Sequence, residues 1–121
     1  MTRHILPEDR VHPAAREKIA ANHRDIVEEV EAALREHEWV IVGMAQNPVV
    51  KKARTLLKEK GLAFHYLEYG SYLKLWRRRN ALKMWTGWPT FPMVFHQGVL
   101  IGGFEEAARL LRAEAPASAP A

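Results

Sequence analysis

Cysteine does not occur anywhere in this chain of 121 residues. Its absence excludes disulfides, thiolate nucleophiles and cysteine-ligated metal or iron–sulfur chemistry by this chain alone. No apolar run approaches the roughly 20 residues of a membrane-spanning helix, so no membrane is expected as a partner. The first residues, MTRHILPEDRVHP, show no basic-then-apolar leader pattern, and the expected location is the cytoplasm. Acidic residues are missing between Glu68 and Glu105, the interval that holds Lys74, Arg77, Arg78, Arg79 and Lys83. The net charge is only +4, so one region of the fold should carry most of the positive potential.

Other reactive groupings are scarce. The six histidines (His4, His12, His23, His37, His65 and His96) form no pair at helical i,i+3 or i,i+4 spacing, and no helical metal site is expected. Ser71 and Ser118 fall in a turn and a tail, and no Ser/His/Asp arrangement can be drawn from them. The run from Trp76 to Arg79, with Trp85 nearby, is too short to predict a nucleic-acid partner.

What is present suffices for one domain with one modest core. Residues 1–13 have two prolines and no periodicity and read as an extended N-terminal arm. From Ala14 to His37, the residues Ile19, Ile26, Val27, Val30, Ala33 and Leu34 recur at helical spacing, which predicts one amphipathic helix over 14–37. Trp39–Val42 is a continuous apolar run, as in a strand buried on both faces. A helix is predicted from Pro48 to about Lys60, stopped by Gly61, and a strand over 62–67. A further helix over 72–85 has Leu75, Trp76, Leu82 and Trp85 as its expected anchors. Residues 93–103 read as a hairpin about Gln97-Gly98, and a last helix spans 105 to about 113. The tail 114–121 is low-complexity and expected to be disordered. A βαβ unit, one helix and an antiparallel hairpin make an α/β domain over 38–113: a four-stranded mixed sheet flanked by helices, in thioredoxin-like order.

Three motifs carry a resemblance. Thr90-Phe91-Pro92, within WPTFP, resembles the threonine-x-proline signature of glutaredoxins. Gly102-Gly103-Phe104-Glu105 resembles their Gly-Gly-x-Asp corner, with glutamate in place of aspartate. Arg79 and Lys83 match the arginine and lysine that monothiol glutaredoxins carry ahead of Trp-Pro-Thr. The resemblance covers about 39–112. It implies a cis Phe91–Pro92 bond and a groove for glutathione. Arg79 and Lys83 would meet its glycyl carboxylate, the Phe91 backbone its extended chain, and the Gly102–Glu105 corner its γ-glutamyl end. The long N-terminal helix has no role in this comparison.

The same alignment places Asn47-Pro48-Val49-Val50 where the family has Cys-Pro-Tyr-Cys. Asn47 and Val50 thus occupy the two cysteine positions, and Met44 stands where a lysine is usual. No catalytic residue, resident cofactor, metal or iron–sulfur cluster is expected. Asparagine is a favoured helix cap and proline a favoured first helical residue, so the loop keeps its architecture without its nucleophile. The expected function is non-catalytic binding of glutathione or a similar anionic peptide, linked to cell redox homeostasis. The alternative is a protein-interaction adaptor using the cis-proline edge and the basic helix.

Overall fold

In the computed structural model, which describes residues 2–118, one mixed sheet runs through the chain with helices on both faces. Strands β1 (Trp39–Gly43), β2 (His65–Glu68), β3 (Met93–His96) and β4 (Val99–Gly102) lie in the order β2-β1-β3-β4. β1 pairs parallel with β2 and antiparallel with β3, and β3 pairs antiparallel with β4. The helices are α1 (Pro13–Ala21), α2 (Arg24–Glu36), α3 (Pro48–Glu59), α4 (Trp76–Thr86) and α5 (Phe104–Ser118).

The continuous apolar run of β1 is explained by its two buried faces. Val40 and Val42 point into a core with Ile26 and Val30 of α2, Ala81 and Leu82 of α4, and Met93 and Phe95 of β3. Trp39 and Ile41 point the other way, against Ala53 and Leu57 of α3, Val94, and Ala107 and Leu111 of α5. The alternation follows from the two-residue period of a strand. Each face of the sheet therefore has its own apolar layer.

α3 ends as Gly61 predicts. The Gly61 N–H donates to Lys58 O at 3.0 Å and the Leu62 N–H to Leu57 O at 3.0 Å, a Schellman closure. Residues 62–64 carry the chain out of that closure, so β2 starts at His65 rather than at 62. The hairpin turn has positive φ at both Gln97 (52°) and Gly98 (79°), the geometry that suits the twist of paired strands.

Further expectations are corrected. The helix over 14–37 is two helices: Asn22 leaves α1 with extended backbone, and His23 adopts a left-handed φ of 45°. Asparagine favours turns because its side chain competes for backbone partners, but the apolar periodicity runs across the break and hides it. Ile19 consequently lies exposed on α1 rather than in the core. The arm over 1–13 contains a 3₁₀ turn at Glu8–Arg10, and Arg3 Nη1 donates to Thr86 O at 2.7 Å.

α4 starts four residues later than predicted. Ser71 and Lys74 exchange backbone hydrogen bonds at 3.2 Å, and Leu75 takes a left-handed φ of 62°, so 72–75 is a turn. Of the expected anchors only Leu82 is buried; Leu75, Trp76 and Trp85 face solvent. Finally, α5 extends through Ser118, which places 114–118 in a helix, while 119–121 lie outside the described residues.

Candidate functional site

The loop from β1 to α3 is closed upon itself. Asn47 caps α3, its Oδ1 accepting from the Val49 N–H at 2.9 Å and the Val50 N–H at 3.1 Å. These are the orphan donors of a helix N-terminus, the groups that elsewhere stabilise an anion. Here the amide side chain satisfies them. Pro48 follows at the first helical position, where its missing N–H costs nothing.

Val50 has become a core residue. It is 2% exposed, and a Cβ built on Gly43 would stand 2.6 Å from its Cγ1. The methyls thus fill the space over the end of β1. Met44 is likewise buried in the core on that side of the sheet. The three positions that would carry sulfur or a lysine therefore serve capping and packing.

Beside this loop lies a cleft of about 380 Å³ lined by Val49, Lys52, Trp88, Phe91, Glu105 and Glu106, among others. Thr90, Pro92, Gly103 and Phe104 also reach it. Two of the three sequence motifs, far apart in the chain, thus meet in one place. The Phe91–Pro92 peptide is cis, and the Phe91 N–H and C=O have no backbone partner among the described residues. Gly102 lies beneath the cleft, where an added Cβ would come within 3.1 Å of the Trp88 ring.

The Gly103 corner is partly taken. Glu106 Oε1 accepts from the Gly103 N–H at 3.0 Å, closing the first turn of α5 from its third position. Glu105 and Glu106 put two carboxylates in the lining of this cleft, which also includes Lys52. Trp88 Nε1 is buried and finds no hydrogen-bond partner among the described residues. Such a donor usually has one.

The two basic candidates part company. Lys83 does not line the cleft, but its Nζ lies 5.7 Å from the ring centroid of Phe91, which does. Arg79 is turned inward and is 6% exposed, donating through Nη1 to Tyr69 O at 3.1 Å and Lys74 O at 2.5 Å. Burial lowers its pKa from the ordinary value. It clamps the 69–75 loop and lines no part of the cleft.

Sequence reasoning missed Val49, Lys52, Trp88 and Glu106. Lys52 was detectable, being three residues after Val49 and hence on the same helix face. Glu106 stands three after a helix-capping glycine, the spacing from which a carboxylate reaches back. On its other side Asn47 borders a second cleft with Arg54, Tyr66 and Glu68. There the Arg54 guanidinium lies 4.0 Å from the Tyr66 ring centroid, and the Tyr66 hydroxyl donates to Glu68 at 2.8 Å. Burial first, and then Glu68, push the Tyr66 phenol above its usual range. Among the described residues no group of three His, Asp or Glu side chains could hold a metal ion.

The glutaredoxin family model matches residues 40–101. A glutaredoxin-like protein of Dictyostelium discoideum is 47% identical over 89 residues, which span 74% of this chain and 72% of that one. Among solved structures, a reduced glutaredoxin from Populus tremula x tremuloides superposes with a TM-score of 0.66 at 18% identity. The match covers 80% of this chain and 83% of that one. A buckwheat glutaredoxin–glutathione complex gives a TM-score of 0.64 at 18% identity, covering 76% and 84%. The fold is thioredoxin-like.

Proposed function

The chain belongs to the glutaredoxin family, and from that premise we propose that it is a non-catalytic member holding glutathione or a similar peptide in the cis-proline cleft. No thiol chemistry can start from this chain, because it has no sulfur nucleophile. Its contribution to cell redox homeostasis would be binding without turnover.

The observation that carries this reading is the convergence of Thr90–Pro92, Gly103–Glu105 and Val49 on one cleft. The unpaired Phe91 backbone suits an extended peptide, which would gain two main-chain hydrogen bonds there. Lys52 and Lys83 offer charge to a carboxylate, and Glu105 offers charge to a free amino group. The buckwheat relative was solved with glutathione, and this supports glutathione as the first ligand to test. The loss of Arg79 from the cleft removes one expected carboxylate contact, so the predicted affinity is weak.

A heteronuclear NMR titration with reduced glutathione tests the proposal. Shifts confined to 49, 52, 88, 90–92 and 103–105, and weakened by Lys52→Glu, are the expected result. No shifts at millimolar glutathione would remove that ligand from consideration. The second reading is a protein-interaction adaptor, favoured by the same Phe91 N–H and C=O, which have no backbone partner among the described residues. It predicts shifts at 90–92 with an extended acidic peptide in place of glutathione.

A further inference from the structure

Four large apolar side chains stand exposed where the loop after β2 enters α4. Leu73 is 90% exposed, and Tyr72, Leu75 and Trp76 are about half exposed. An unsupported loop would fold such residues away from water, but this one is held open. Ser71 and Lys74 pair through two backbone bonds, and the Arg79 guanidinium grips the Tyr69 and Lys74 carbonyls from beneath. The approach is close enough to require Gly70, where a Cβ would lie 2.3 Å from Lys74 O. Buried charge has been committed to presenting an apolar tip.

The exposed charges on the tip itself are cationic, while Glu29 of α2 accepts from the Tyr69 hydroxyl at its base. Lys74 and Arg77 are exposed beside it, with the Arg77 guanidinium 5.1 Å from the Trp76 ring centroid. The nearby Asp25 of α2 is already paired with Arg78 at 2.7 Å. The chain from Tyr69 to Phe104 contributes no carboxylate of its own. Met84, two turns along α4 from Trp76, is also exposed, with the polar Asn80 between them.

An exposed leucine tip, flanked by tyrosine and tryptophan and by the cations Lys74 and Arg77, suits the boundary of an anionic bilayer. Leucine enters the acyl region, the aromatic rings rest at headgroup depth, and lysine and arginine meet lipid phosphates. A second copy fits poorly, since a twofold contact through this tip would set Lys74 and Arg77 against their own equivalents. We propose that residues 72–77 form a docking surface for an anionic membrane, with Leu73 as the inserted side chain. The expectation of no membrane partner rested on the length of apolar runs. That length governs spanning, not surface attachment. The proposal is independent of what the cis-proline cleft binds.

The test is co-sedimentation of the full chain with vesicles of phosphatidylcholine, with and without phosphatidylglycerol. The protein should bind the mixed vesicles and leave the neutral ones at least about tenfold more weakly bound. Leu73→Glu lies on the exposed tip, so it should keep the melting temperature and lose about tenfold in vesicle affinity. A blue shift of tryptophan emission on binding should shrink in Trp76→Phe. Failure to bind mixed vesicles overturns the proposal. So does a Leu73→Glu variant that binds as the parent does while Lys74→Glu/Arg77→Glu does not, since that is plain adsorption of a basic protein. Preference for single-stranded RNA over both vesicle types, with quenching of Trp76, would also overturn it.

Discussion

Arg79 reaches back ten residues to donate to the carbonyl oxygen of Tyr69 at 3.1 Å, and by doing so fixes the loop between β2 and α4. A residue that resembles a ligand clamp in the sequence is, in the fold, a clamp on its own chain.

Arg79→Ala should therefore act on stability. It removes two charge-assisted hydrogen bonds at a buried position, and a loss of about 2–3 kcal/mol in urea unfolding is expected. Arg79→Lys should recover only part, because an ammonium on a flexible stem lacks the planar fork. An unchanged unfolding midpoint in Arg79→Ala, with abolished ligand binding, would reverse the assignment.

Asn47→Ala should cost about 1 kcal/mol, the usual worth of a helix cap. The loss should appear as faster amide exchange at Val49 and Val50, whose N–H groups become orphans. Asn47→Ser, which can still cap, should remain within a few tenths of the parent.

Asn47→Cys asks whether the surroundings of the loop are still those of a thiol site. The new sulfur would face the freed N–H groups of Val49 and Val50 at a helix N-terminus. Its pKa should fall below the ordinary value of about 8.5, as read by the pH dependence of alkylation. Glutathione-dependent disulfide reduction should then rise above background. A thiol with an ordinary or raised pKa, and no turnover, would mean that more than the nucleophile has gone.

Tyr69 gives a pH dependence. Its hydroxyl donates to Glu29, linking the loop after β2 to α2. Burial first, and then Glu29, raise the phenol above its usual value of 10.0. A raised value means that the fold favours the protonated form. The stabilisation is therefore complete below pH 10.0 and is lost as pH rises through the elevated value. Tyr69→Phe should cost about 1–2 kcal/mol at neutral pH. The gap in melting temperature between parent and variant should hold to pH 10.0 and shrink above it. A gap that widens with alkalinity would contradict the assignment.

The elements of the fold were legible wherever one local period dominated. Trp39–Val42 announced a strand buried on two faces, and Gly61 announced the end of α3. The order of elements and the three motifs led to the family. Legibility failed at Asn22-His23, where apolar spacing continues across a broken helix. It failed again at 72–76, where aromatic and leucine side chains suggest a helical anchor. Their exposure follows from a turn held by Ser71, Lys74 and Arg79, contacts that no period in the sequence encodes.

The site divides along the same line. The absence of cysteine, and the cap offered by Asn47, are properties of single residues and their immediate neighbours. Composition and local hydrogen bonding were enough to determine them. Which charges face the cleft is different. Arg79 and Lys83 lie one helical turn apart on α4, yet one is buried against backbone carbonyls and the other stands by Phe91. Glu106, unnoticed in the sequence, takes the Gly103 N–H. Those outcomes depend on how helix, loop and strand pack in three dimensions. Burial determines whether a charge must find its partners within the protein or remains open to a ligand.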